Sequence, residues 1–369
     1  MITLVNAKEE RLTAFSASYR ALSNLNWKPK RRSVFIKPNV GATSKTANTD
    51  PEIVKGIIHY LKEFGIEDIL VGEGSVETEY ESTPYNFHYC GWDKFAEEEG
   101  VELVDLNRAE RTEIPWHYGK IAIPKVLFDK SYINVAKMKT HMQTLVSLCT
   151  KNQKGLLDSE TRKTFHRLGL HDPIARLAEA IKPELCVVDG IVAVEGNGPA
   201  DMGDTRKMGI ILAGSDMVET DRACCGVMGI NPDRVEHIRL ISAGAKDTYE
   251  PSNITERPFR LPEMEFKMFR VHMRPEDACT ACMSSVGKLN KLARRSIKGI
   301  FYFINLGILR RLDIIVGNAK QLPEDHGKCI FYGNCASHTA EEYPEYLWIQ
   351  GCPPNSKMAL EMLLSEKSR

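Results

Sequence analysis

The chain has 369 residues, 43% hydrophobic and 27% charged, with Lys plus Arg equal to Asp plus Glu at 49 each. This is apolar material for a substantial core and length for two domains. The cancelled charge excludes a general nucleic-acid binder, which needs a net basic footprint. No run reaches the roughly eighteen apolar residues of a membrane span. The nearest, Ile300–Leu309, is short and flanked by arginines, and reads as a packed helix that could at most touch a membrane surface. The amino terminus lacks a basic stretch followed by an apolar core, so no signal peptide is expected. Ten cysteines are too few for a disulfide scaffold in a chain this long. The expected setting is cytoplasmic and reducing, where clustered cysteines read as metal or redox ligands.

Residues 1–30 predict a short strand and an amphipathic helix around Arg11–Leu22. Val34–Lys37 is a buried strand ending in Pro38-Asn39-Val40-Gly41. A polar loop follows over 42–50. Thr49-Asp50-Pro51-Glu52 then starts a helix, with proline in its first turn and acids at the positive end of the dipole. Asp68–Gly72 is the next strand and ends in Glu73-Gly74-Ser75. Strand, helix and strand make a right-handed βαβ unit whose polar strand ends would floor a pocket. The G-x-G-x-x-G spacing fails, which excludes a Rossmann dinucleotide site. Residues 76–100 carry aromatic-rich turns and a helix at Asp93–Glu99, followed by strands at Val101–Leu106 and Lys120–Pro124.

Tyr132, Ile133, Val135 and Ala136 form a buried strand that turns abruptly polar. Lys137, Lys139, Thr140, His141, Thr144, Lys151, Asn152 and Lys154 follow without an acid among them, and Gly155 closes the segment. Such an ending resembles the carboxyl edge of an α/β sheet, where ligands sit. A solvated basic loop is the alternative reading. His166 and His171 lie five apart, which is not a helical metal pair, so surface or phosphate contacts are expected of them. After a helix at Pro173–Ile181, the strand Leu185–Asp189 leads into a tight Gly/Pro loop over 189–199 holding Asp189 and Glu195. Those carboxylates could pair with the lysines, bind a metal, or act as acid and base. Met208–Ala213 is a further strand, Val218–Met228 a helix with Cys224 and Cys225 in its core, and 229–244 holds a short helix. The fold class expected is α/β, a mostly parallel sheet with helices on both faces in two lobes. The expected division is a main domain over 1–246, a linker over 247–265, and a small α/β cysteine module over 266–369.

In that module Cys279-Thr-Ala-Cys282 precedes an amphipathic helix. Lys328–Tyr332 reads as a strand ending in Gly333-Asn334-Cys335-Ala336. A second apolar run ends in Gly351-Cys352-Pro353-Pro354, before a final helix at Lys357–Leu364. Cys279, Cys282, Cys335 and Cys352 lie at element ends, where loops can gather thiolates; Cys329, at a strand start, is the odd one out. Four thiolates suit a [4Fe–4S] cluster or a structural Cys₄ zinc. A single C-x-x-C and a proline after a ligand favour the cluster.

Lys37-Pro-Asn39, Thr49-Asp-Pro51, Ile133-Asn-Val-Ala-Lys-Met-Lys139-Thr-His141, Lys151-Asn-Gln-Lys-Gly155, Val188-Asp-Gly190 and Glu195-Gly-Asn-Gly-Pro199 resemble the family DUF362 over about residues 30–245. The resemblance implies an iron–sulfur module, although the C-x-x-C-x-x-C-x₃-C-P run of ferredoxins is absent. The Gly-x-Cys-Ala and Gly-Cys-Pro-Pro turns are similar instead to cluster turns of hydrogenase small subunits and the related respiratory-complex subunit. A distant architectural similarity to nickel-dependent lactate racemase implies two α/β lobes around a cleft.

The first functional expectation is an iron–sulfur redox enzyme acting on a small anionic substrate, with an electron-transfer protein as partner. Lys37, Asn39, Lys137, Thr140, Lys151 and Asn152 would bind the anion. Lys139 and His141 would serve catalysis, His141 moving a proton, with Asp189 and Glu195 orienting a lysine or binding a cation. The alternatives are a metal-cofactor-dependent isomerase or transferase with structural cysteines, and a non-enzymatic cluster carrier. Homo-oligomerisation stays open.

Overall fold

Buried β-leaning runs separated by capped amphipathic helices are the raw material of a wound sheet, and the first unit builds one. The computed structural model describes residues 1–77, 81–199, 203–242, 257–262, 266–268, 271–276, 278, 280–301, 311–319, 321–322 and 324–365. The chain divides into two units, Met1–Pro262 and Glu263–Arg369.

The strands of the first unit are β1 (Ile2–Asn6), β2 (Ser33–Lys37), β3 (Asp68–Glu73), β4 (Glu102–Asp105), a separate hairpin of β5 (Arg111–Trp116) and β6 (Gly119–Pro124), β7 (Ser131–His141), β8 (Leu145–Ser147), β9 (Leu185–Gly196) and β10 (Gly203–Gly214). The main sheet has the order β1-β10-β9-β7-β2-β3-β4, with β8 folded back on β7. From β9 to β4 the neighbours are parallel; β10 and β1 add an antiparallel edge. The expected α/β class with a mostly parallel sheet is therefore what the chain adopts.

Helices cover both faces, as alternation along the strands requires. Val34 and Ile36 of β2, with Ile133 and Val135 of β7, pack against α1 (Ala14–Leu25), α2 (Pro51–Lys62) and α4 (Trp92–Glu99). Ala136, Met138, Cys186 and Val188 face the other way, against α8 (Met217–Val227) and α9 (Glu236–Ile241). Phe35 and Tyr132 join a third cluster under α6 (Ser159–Arg167) and α7 (His171–Ala180). Cys224 and Cys225 are buried core thiols, as their apolar neighbours imply. Asp50 caps α2 by accepting from Glu52 N, with Pro51 in the first turn.

Three stretches differ from the sequence reading. β7 does not end at Ala136 but continues to His141, because β9 stays paired with it as far as Lys139 and β8 pairs with its last three residues. The basic stretch is thus strand as far as His141 and short helix at Lys151 and Asn152, mostly buried, and the solvated-loop reading does not hold. β9 likewise runs through to Gly196, so Asp189 and Glu195 stand on a strand; β10 zips against it from Gly196 to Cys186. The aromatic residues before Cys90 form α3 (Thr83–Cys90), capped by Ser82.

In the second unit β11 (Phe266–Met268) lies antiparallel to β12 (Val271–Glu276), which is followed in parallel by β13 (Leu312–Gly317), β14 (Lys328–Tyr332) and β15 (Leu347–Ile349). Its helices include α10 (Thr280–Arg295), α11 (Ser337–Glu342) and α12 (Ser356–Ser365). β13 is a strand the sequence reading passed over. Of the stretch read as linker, residues 257–262 belong to the first unit, where Gly196 N donates to Arg260 O at 2.8 Å. Residues 247–256 and 263–265, Cys279, and residues 302–309 of the apolar run lie outside the described residues.

One buried carboxylate fixes where the short helix α5 (Cys149–Asn152) begins. Asp221 of α8 accepts from Cys149 N at 2.8 Å, Thr150 N at 2.8 Å and Thr150 Oγ1 at 2.6 Å. Asp221→Ala would strand those buried donors, so a loss of about 3 kcal/mol in urea unfolding is expected. An unchanged midpoint would remove the anchoring role.

Candidate functional site

Parallel strands end at one edge, and here three of them bring polar ends together. β2 ends in Lys37, β7 carries Lys137, Lys139 and His141 on alternate positions, and β9 presents Asp189. The β7–β8 hairpin then turns the chain so that α5 returns over this edge with Lys151 and Asn152. The ammonium groups are buried: Lys37 is 0% exposed, Lys137 3%, Lys139 5% and Lys151 9%. A buried charge costs several kcal/mol unless it is paired.

Two of the four are paired. Lys37 Nζ lies 2.8 Å from Glu73 Oε1, and donates to Pro38 O at 3.1 Å and Asn152 Oδ1 at 3.2 Å. Lys137 Nζ lies 2.8 Å from Asp189 Oδ2, which also accepts from Asp50 N at 3.0 Å. Amides tie these pairs to the third cation. Asn152 Oδ1 accepts from Asn39 Nδ2 at 2.9 Å, and Asn39 Oδ1 accepts from Lys139 Nζ at 2.7 Å. Asn152 Nδ2 donates to Asn134 Oδ1 at 2.7 Å, and Lys139 donates also to Ala47 O at 2.8 Å.

Lys139 and Lys151 have no carboxylate within ion-pair distance among the described residues, and Lys151 has no hydrogen-bond partner for its ammonium among them. Neutral amide and carbonyl oxygens orient Lys139 without cancelling its charge. Burial, then the charge of Lys137, brings Lys139 down to about 7. Burial, then Lys154 and Lys139, pushes Lys151 well below the usual lysine range.

Four imidazoles lie within the electrostatic reach of Lys151. Burial, followed by the charges of Lys151, Lys139 and Lys154, holds His141 neutral. Its Nδ1 accepts from Gln143 N at 3.0 Å, which leaves the proton on Nε2. Burial and Lys154 bring His166 down to about 3, with its Nε2 3.3 Å from Lys154 Nζ. The Nδ1 atoms of His171 and His237 are 3.4 Å apart, and His237 Nε2 is buried without a hydrogen-bond partner among the described residues. The charge of Lys151 depresses all four histidines.

Not every residue singled out from the sequence joins this constellation. Glu195 is bound instead by Arg257 Nη2 at 2.5 Å, Arg260 Nε at 3.2 Å and Arg206 Nη1 at 3.3 Å. Burial opposes its ionisation, but bonds from Arg257 and Arg260 prevail and hold it at about 2. Thr140 Oγ1 is turned to backbone, donating to Gly196 O at 2.7 Å. The sequence reading missed Glu73, although it marked that strand end as pocket floor, and missed His237 and Asn134. It expected surface or phosphate contacts of His166 and His171, since nothing local shows that the charge of Lys151 acts on both.

In the second unit the parallel strands again end together. Gly333 follows β14 at φ +100°, and a Cβ there would stand 3.1 Å from Cys282 Sγ in the first turn of α10. Gly333 N donates to Ile349 O at 2.9 Å, Asn334 N to Gly351 O at 3.0 Å, and Gly351 N to Asn334 Oδ1 at 2.7 Å. Cys335 and Cys352 are thus exposed on adjoining turns, with Cys282 buried beside the first. Cys329 is a core thiol of β14, pushed up to about 12 chiefly by burial. Among the described residues no three His, Cys, Asp or Glu side chains are arranged to hold a metal ion.

Gly155 shows how closely backbone approaches the first site. A Cβ there would come 2.0 Å from Glu73 Oε1 and 2.6 Å from Lys37 Nζ. Gly155→Ala must therefore displace a buried ion pair, for an expected loss of about 3 kcal/mol. Gly41→Ala, which meets nothing within 4 Å, is the matched control. Equal thermal denaturation of the two variants would contradict the close approach.

A match to a known family spans residues 34–226, which includes every residue of the lysine cluster, and carries the description domain of unknown function (DUF362). The chain is also similar to a thylakoid-associated protein of Synechocystis sp., 23% identical over 250 residues, or 63% of this chain and 76% of that protein. Since the family match covers just over half of its length, the chain belongs to the DUF362 family.

Proposed function

We propose that the first unit binds a small anionic substrate at Lys139 and Lys151 and moves a proton through His141. One observation carries this reading: two buried ammonium groups that no described carboxylate neutralises. An anion between them would supply the missing charge, and Lys37 and Lys137, locked to Glu73 and Asp189, would serve as scaffold. A neutral His141 beside such an anion becomes easier to protonate, which suits an imidazole that takes a proton from substrate and returns it.

The second unit would hold a [4Fe–4S] cluster on Cys279, Cys282, Cys335 and Cys352, making the whole an iron–sulfur redox enzyme served by an electron-transfer protein. The adjoining turns at Gly333 and Gly351, with the Cys282 sulfur against one of them, fit such a group. When bound, the cluster supplies one-electron transfer.

Anion binding has a definite pH dependence. The free protein loses the Lys139 cation as pH rises through about 7. Bound anion raises the lysine and histidine values again, so binding takes up protons and weakens with rising pH. Titration calorimetry with orthophosphate is expected to show tighter binding below pH 7 than above it, with Lys151→Met weakening it at least about tenfold. Affinity that ignores both pH and the Lys151 substitution would refute the anion site.

Protein purified without oxygen is expected to contain iron and acid-labile sulfide in equal amounts. Its visible absorbance should fall away in Cys282→Ser and Cys352→Ser. Stoichiometric zinc without sulfide would instead make the thiolates a structural site and remove the redox half of the proposal.

A further inference from the structure

One corner of the second unit differs in chemistry from its surroundings. α10 ends at Arg295, and residues 297–301 resume as helix after a break at Ser296. Ser296 caps the new turn: its hydroxyl accepts from Gly299 N at 3.2 Å and its carbonyl from Ile300 N at 2.8 Å. Gly299 sits so close to the end of α10 that a Cβ there would come 2.5 Å from Ala293 O. The corner is held from its inner side. Its outer side is apolar, with Ile297 75% exposed, Phe301 61%, Ile300 41% and Leu292 37%. Single exposed apolar residues are ordinary, but four within ten positions form a patch that marks an interaction surface.

The run of sequence that carries the patch has charge of one sign. From Thr280 to Arg311 the sequence contains Lys288, Lys291, Arg294, Arg295, Lys298, Arg310 and Arg311, and no Asp or Glu, in a chain whose acids and bases otherwise balance. Lys288, Arg295 and Lys298 are exposed, and Arg295 and Lys298 form no ion pair among the described residues. A second copy of the chain would set cations against cations. A surface that accepts protruding apolar side chains and cations together, without needing a complementary shape, is a bilayer with anionic headgroups.

We propose that this corner docks on an anionic lipid bilayer, with Ile297, Ile300 and Phe301 entering the boundary between headgroups and acyl chains while Arg295 and Lys298 lie against lipid phosphates. The contact is peripheral, since no helix among the described residues is long and apolar enough to cross a membrane. It is independent of the anion site and of the cysteines.

The test is co-sedimentation of the full chain with phosphatidylcholine vesicles, with and without phosphatidylglycerol. Binding is expected only with phosphatidylglycerol, and it should weaken as salt rises. Arg295→Ala and Lys298→Ala should each lower the partition roughly fivefold. Ile297→Ser combined with Phe301→Ser should lower it at least about tenfold with an unchanged melting temperature, both side chains being exposed. Failure to sediment, equal sedimentation with pure phosphatidylcholine, or indifference to the Ile297 and Phe301 substitutions would overturn the proposal. So would concentration-dependent doubling of mass that Phe301→Ser abolishes, because the patch would then join two copies.

Discussion

The first unit is organised around the burial of lysine ammonium groups at the carboxyl end of its central strands. Such burial is costly, and two of the cations are stabilised by carboxylates that come from different strands, Glu73 from β3 for Lys37 and Asp189 from β9 for Lys137. Those cross-strand pairs require β2 and β3 to end side by side and β7 and β9 to hold Lys137 level with Asp189, so sheet order and site geometry are a single requirement. Gly155 and Gly74 follow from it. The backbone of Gly155 passes directly over the Lys37–Glu73 pair, and a Cβ on Gly74 would stand 2.4 Å from Gly155 O.

The amide chain through Asn39, Asn152 and Asn134 does a different job. It supplies hydrogen-bond acceptors to Lys37 and Lys139 without adding negative charge. The edge therefore keeps an electrostatic excess that scaffold carboxylates could have removed. Burial lowers Lys139, Lys151 and the four histidines first, and cationic neighbours add to it most directly at Lys139, Lys151, His141 and His166, while Glu236 offsets it in part at His171. Glu195 shows the opposite regime, a carboxylate over-supplied with arginines and held ionised far below neutrality. Two carboxylates with different partners thus stand on the same strand, β9, Asp189 against a lysine and Glu195 among arginines.

The second unit repeats the logic of strand ends with sulfur instead of nitrogen. Parallel β14 and β15 deliver Gly333 and Gly351 at positive φ, where the chain can turn sharply, and each is followed within two residues by a cysteine. α10 links two regions of this unit, with Cys282 in its first turn and the apolar corner beyond its last. Ser285, one turn after Cys282, contacts Tyr332 Oη at 2.7 Å and so fixes that end of the helix against β14.

Local pattern determined a good deal of this protein. The apolar runs, the Asp50-Pro51 start of α2 and the glycines after strands were enough to give the α/β class, the order of most elements and the placing of chemistry at strand ends. The alternation of Lys137, Lys139 and His141 with Met138 and Thr140 already had the period of a strand. Polarity masked it, because a buried strand is expected to be apolar and only a tertiary partner reveals a lysine as buried. Tertiary structure alone decided which cations are neutralised, since Glu73 and Asp189 lie 36 and 52 residues from the lysines they meet. It alone brought His166, His171 and His237 within the electrostatic reach of Lys151 and set Glu195 among the arginines. Charge compensation acts through space, and no local spacing in the sequence encodes a contact made across a sheet.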